Sequence, residues 1–105
     1  MTYDTYIIII DCGFKVTAEK AHATEYAYGN TIIYTVPAKR LNVVVSPEDY
    51  LFVKDMEISK YHNTALTDFP KEKNNGKNEI HYGYQIKFDN DSDMKRFLLL
   101  YKERR

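Results

Sequence analysis

The chain has 105 residues, room for one domain, and an ordinary apolar share of 44%. Its 15 basic and 15 acidic residues cancel. That removes the basic excess of proteins that hold nucleic acid through unspecific phosphate contacts, and equally the acidic excess of a nucleic-acid mimic. The lone Cys12 excludes an internal disulfide and with it a secreted disulfide framework.

The opening stretch MTYDTYIIIID has no basic segment and no small-residue cleavage site. Its apolar run, residues 6–10, is far short of a membrane span. The expectation is a cytoplasmic protein with no membrane partner. Residues 5–10 are β-branched and aromatic and apolar on both faces, which predicts a central strand covered on both sides. After Asp11, Cys12, Phe14 and Val16 alternate with Gly13, Lys15 and Thr17, as a second strand or as the same strand continued past a bulge at Gly13.

Residues 18–28 fit two readings. Their alanines, with Glu19, Lys20 and Glu25, favour a short helix stopped by Gly29 and Asn30. The alternative is a hairpin joining residues 26–28 to 31–36 through the same Gly-Asn pair. Ile32, Tyr34 and Val36 mark a strand ending before Pro37, and Leu41, Val43 and Val45 mark the next. Ser46-Pro47-Glu48-Asp49 is a helix start: serine caps, proline suits the first helical position, and the acids suit the positive end of the dipole. Leu51, Phe52 and Met56 are expected to be the buried stripe of a helix ending near Glu57.

Residues 70–78, PKEKNNGKN, have no apolar side chain after the proline and contain an Asn-Gly turn signal. They predict a flexible loop. Residues 79–88 carry the cleanest strand pattern, with Ile80, Tyr82, Tyr84, Ile86 and Phe88 on one face and Glu79, His81, Gly83, Gln85 and Lys87 on the other. Asn90 or Asp91 can then cap a final helix that buries Met94, Phe97, Leu98 and Tyr101. Leu99 and Leu100 leave that helix no polar face, so a closing strand is the alternative. The expected fold is α+β: one domain, a small, mostly antiparallel sheet of four to five strands, and two or three short helices.

No motif for an enzyme stands out. Asp89, Asp91 and Asp93 have the spacing that opens a calcium loop, but Met94 occupies the glycine position and Leu100 the bidentate glutamate position. A helix cap and first turn account for them. Cys12 with His22, His62 or His81 has no spacing of a thiolate–imidazole pair or a zinc site, and a buried inert thiol is expected. The four glycines form no phosphate-binding loop, and Ser46 and Ser59 lack a nucleophile-elbow frame. Asp11 is expected to end a strand rather than to act as an acid. No catalytic residue, metal ligand or cofactor is assigned.

Two basic clusters remain: Lys71, Lys73 and Lys77, and then Lys95, Arg96, Lys102, Arg104 and Arg105. With Tyr82 and Tyr84 nearby they offer a basic-aromatic nucleic-acid surface, against which stands simple solvated charge. Ten of the fifteen aromatic residues are tyrosines, more than so small a core takes easily. Tyr3, Tyr26, Tyr28, Tyr50, Tyr61 and Tyr82 are therefore candidates for partial exposure, and exposed tyrosine is enriched at protein interfaces. The candidate interaction surface is Tyr26, Tyr28, Lys71, Lys73, Lys77, His81, Gln85 and Lys87.

Residues 84–101, YQIKFDNDSDMKRFLLLY, resemble the endings of small accessory proteins of tailed phages, where a strand, an acidic turn and a short helix precede a closing apolar run. The resemblance implies a phage-like origin and an inhibitor or modulator that acts by contact on a host protein of defence or nucleic-acid processing. No functional residue is carried over by it. The leading expectation is a non-enzymatic protein-binding module whose partner is another protein. A small nucleic-acid-binding protein is the alternative, and a self-assembling homo-oligomeric subunit comes third.

Overall fold

A computed structural model describes residues 3–74, 76 and 78–104. In chain order they form α1 (Tyr3–Asp11), β1 (Lys15–Glu19), β2 (Thr24–Tyr28), β3 (Thr31–Thr35) and β4 (Leu41–Val45). A 3-10 turn (Pro47–Asp49) runs into α2 (Tyr50–Val53), followed by β5 (Ile58–His62), β6 (Lys71–Asn74), β7 (Asn78–Phe88) and α3 (Asp91–Tyr101). The class is α+β. Among the described residues the sheet has seven strands rather than four or five, all paired antiparallel, in the order β1-β2-β3-β4-β7-β5 with β6 also on β7.

Three strands go beyond those expected: β2, β5 and β6. Of the two readings of residues 18–28 the hairpin holds and the helix does not: the chain forms β2 and pairs it with β3 from Thr24–Thr35 to Tyr28–Thr31. Gly29 turns the corner at φ 59°, a left-handed conformation that costs glycine nothing. The alanines lose to the pairing because it places Tyr26 and Ile33 side by side in the core. Where residues 70–78 were expected to be a loop, Lys71–Asn74 pair with β7 from Lys71–His81 to Asn74–Asn78. Backbone pairing needs no apolar side chain, so polar residues can extend a hairpin whose far arm is already held in the sheet.

β7 organises the molecule, with β4 along one edge at residues 84–88 and β5 along the other at 82–86. Asn63 N–H donates to His81 O, and Tyr82 N–H donates to Pro70 O. Successive strand residues bond to opposite edges, so β6 continues the edge that β4 occupies.

All three helices cover one face. Ile8 and Ile9 of α1, Val53 of α2, and Met94, Phe97, Leu98 and Tyr101 of α3 close over Tyr26, Ile33, Val43, Val45, Ile86 and Phe88. Residues 5–10 are thus helical, not a central strand. A short apolar run has no period of its own to choose between the two, and winding it turns Ile8 and Ile9 inward while Tyr6 and Ile7 stay partly outside. Asp11 ends a helix instead of a strand, and β1 begins only at Lys15. In α3 the expectation holds: Asn90 caps it, its side chain accepting from Asp93 N–H at 2.9 Å, and the four named residues are buried.

The other sheet face carries a second, smaller cluster, in which Leu66 and Phe69 of the 63–70 segment cover Tyr34, Val36 and Val44. This corrects the reading of β7 as one-sided. Gln85 and Gly83, expected to face solvent, are buried. A Cβ on Gly83 would stand 2.6 Å from Val45 O and 2.9 Å from Phe69 Cδ2, so only glycine lets the covering segment close here. Among the described residues no helix is long and apolar enough to cross a membrane.

Candidate functional site

The surface feature that departs most from an ordinary polar exterior is built by α2 and the end of α3. Ser46 accepts a hydrogen bond from Glu48 N–H and starts the helical segment as its sequence requires. The segment is short, however, and α2 stops at Val53 instead of near Glu57. One turn has one inward position, taken by Val53. Leu51 and Phe52, expected to be buried, are therefore 79% and 44% exposed. Leu99 and Leu100 lie on the outward side of α3 at 44% and 61%.

Between the two helices runs a groove of about 550 Å³ floored by Phe52, Met56, Phe88, Phe97 and Leu100. Its aromatic floor is continuous. Phe97 lies 5.6 Å from Phe88 and 5.2 Å from Tyr101, and Phe52 lies 5.7 Å from Tyr101, centroid to centroid. The rim is charged with both signs: Glu57, Asp89 and Asp93 against Lys87 and Arg96. Arg40 holds Glu57 at 2.8 and 3.1 Å and Asp89 at 2.8 Å. Its hydrogen bonds hold the Glu57 carboxyl below the usual range.

The α2 side of the groove is anchored from the C-terminal end of the chain. Arg104 donates from Nε and Nη2 to the two carboxylate oxygens of Asp49, 2.9 Å each, and lies 4.0 Å over the Tyr101 ring. Tyr101 donates its hydroxyl proton to the same carboxylate. Burial, and then this bond, push the Tyr101 phenol above its ordinary pKa.

The residues singled out from the sequence do not form one surface. Tyr26 is completely buried, contrary to expectation, because it sits mid-strand beneath the helices. Tyr28, two residues along the same face, emerges at the end of the sheet, where Lys102 Nζ lies 4.8 Å over its ring. Lys71 and Lys73 are exposed on β6, and Lys71 pairs with His81. His81 faces the Phe69 carbonyl through Nδ1, and Gln85 is buried in the same strand. Lys87 is exposed at the groove rim. Lys77, Arg105 and the Tyr3 side chain lie outside what is described.

The proposed basic-aromatic patch separates as well. Direct strand partners share a face and neighbours alternate, so Lys71 and Lys73 stand on the opposite face from Tyr82 and Tyr84. Tyr82 is instead flanked by His62, stacked at 5.7 Å, and by Lys60, 5.4 Å from its ring, and both bond to Glu72. Tyr50 is exposed, and Tyr61 and Tyr82 are half-buried.

Cys12 is buried between α1 and α3, and burial pushes its thiol pKa up against the opposing influence of Lys95 and Lys102. Of the three spaced acids, Asp89 is held by Arg40, while Asp91 and Asp93 occupy the first turn of α3. Among the described residues no three or more His, Cys, Asp or Glu side chains are grouped to hold a metal ion.

The groove itself was missed by sequence reasoning. The one available signal was the Leu-Leu pair at residues 99 and 100, which left α3 without a polar face. No protein-family model matches the chain, and no curated protein matches it.

Proposed function

We propose that this chain is a non-enzymatic protein-binding module that works through the face formed by α2 and the end of α3. The observation that carries the reading is the exposure of Phe52 and Leu100 on an aromatic-floored groove, with Leu51 exposed in the hollow that adjoins it at Phe52. Contiguous apolar surface rimmed by charge is costly to leave in water and marks contact sites. An apolar centre with a polar rim is also the anatomy of a protein interface.

Two further observations favour protein over nucleic acid as the partner. The formal net charge is zero, and the β6 lysines stand on the opposite sheet face from Tyr82 and Tyr84. The non-enzymatic reading draws on Cys12, the chain's one thiol, which is buried with its pKa raised by that burial. The resemblance of residues 84–101 to tailed-phage accessory proteins supports a host protein as the class of partner, met in the bacterial cytoplasm.

The test is affinity capture from a bacterial lysate, with and without nuclease. A bound polypeptide should survive nuclease, disappear with Leu51→Asp/Leu100→Asp, and persist with Lys71→Ala/Lys73→Ala. Capture that nuclease abolishes, or that ignores the leucine substitutions, overturns the proposal.

A further inference from the structure

We infer that the free protein closes its α2/α3 face with a second copy of itself, as a two-fold homodimer that another partner must displace. The inference rests on the reading of this face as a contact surface and adds its first occupant. A two-fold contact sets one patch against the same patch rotated, so the patch must complement itself. This one does in shape, because Leu100 projects at the edge of the receiving groove and Leu51 projects from the adjoining hollow, which shares Phe52 with it.

It does so in charge as well. A rim of one sign would repel its own copy, whereas this rim offers Lys87 and Arg96 together with Asp93, while Arg40 already holds its Glu57 and Asp89. Arg96 makes no ion pair among the described residues, so its guanidinium is available to a carboxylate across the contact. The 15 basic and 15 acidic residues leave no net charge to keep copies apart. Burying the exposed leucines supplies the driving force.

Multi-angle light scattering and sedimentation of the purified full chain test this. The expected mass is twice 12.4 kDa. Leu51→Glu/Leu100→Glu should be monomeric, with dimer dissociation weakened on the order of 100-fold or more. Its circular dichroism and Tm should be unchanged, since neither leucine contributes to the core. Ile7→Glu, an exposed apolar position on α1, should remain dimeric. Arg96→Glu should weaken the dimer in low salt and recover in high salt, because it makes the rim acidic and self-repelling.

A wild-type monomer at ~100 µM, a concentration that saturates any low-micromolar dimer, overturns the inference. So does a dimer indifferent to the leucine substitutions. If that monomer still captures a lysate protein through Leu51 and Leu100, the protein-binding reading stands and only the dimer falls. If it captures nothing, both fall.

Discussion

Arg104 reaches back from beyond the end of α3 to grip Asp49, at the start of α2, through two parallel 2.9 Å hydrogen bonds, while Tyr101 donates to the same carboxylate. Fifty-five residues of sequence separate the pair, yet it sets the spacing of the two helices that make the groove. Asp49 is a shared acceptor, so its loss strands a fully buried tyrosine hydroxyl as well as a cation.

Asp49→Ala should therefore cost more stability than Arg104→Ala, about 2–3 kcal/mol against about 1 kcal/mol. A double-mutant cycle by urea unfolding checks this. Additive losses would mean that the two side chains meet without coupling.

Stability should fall on the alkaline side. Burial is the first cause that raises the pKa of Tyr26, Tyr34 and Tyr101, reinforced in Tyr34 by its bond to Glu25 and in Tyr101 by its bond to Asp49. In the unfolded chain these phenols ionise near pH ~10. Above that pH the unfolded state binds fewer protons than the native state, so stability complete below pH ~10 is lost as pH rises, by about 1.4 kcal/mol per pH unit for each such tyrosine. Chemical unfolding at successive pH values should show this slope, and Tyr34→Phe should remove one tyrosine's share of it.

Gly83→Ala should be among the most damaging single-methyl additions. The new Cβ would meet Val45 O at 2.6 Å and Val44 Cγ1 at 2.8 Å, one of them rigid backbone. A loss on the order of 2–4 kcal/mol is expected. Gly29→Ala meets no atom within 4 Å and carries only the strain of its φ of 59°, about 1 kcal/mol. Thermal melts of the two variants should rank accordingly.

Cys12 should label only when the protein opens. It is buried and its thiol pKa is raised by that burial, so little thiolate is present and less is accessible. A thiol reagent should react at the rate of local or global unfolding and accelerate with urea. Immediate labelling in native buffer would contradict the packing of α1 against α3.

Some of this fold is written locally. The strand at residues 79–88, though not its one-sided burial, and the Asn90 cap with its buried Met94, Phe97, Leu98 and Tyr101 appear in the structure as read, because a two-residue period and a capped 3.6-residue period are each written in neighbouring residues. The absence of net charge is likewise a property of composition alone. Tertiary structure decided the rest. Residues 5–10 became helical because the site beside α3 and β1 takes Ile8 and Ile9 from a helix, while the run itself had no period to express. Tyr26 and Tyr28 share a face, and only their distance from the end of the sheet makes one core and the other surface. Gln85 and Gly83 are buried by a segment some fifteen to twenty residues earlier in the chain, which no alternation within β7 can announce. The groove belongs to this second group: it exists because a one-turn helix can bury only Val53, and because Arg104 and Asp49, distant in sequence, hold that turn beside Leu100.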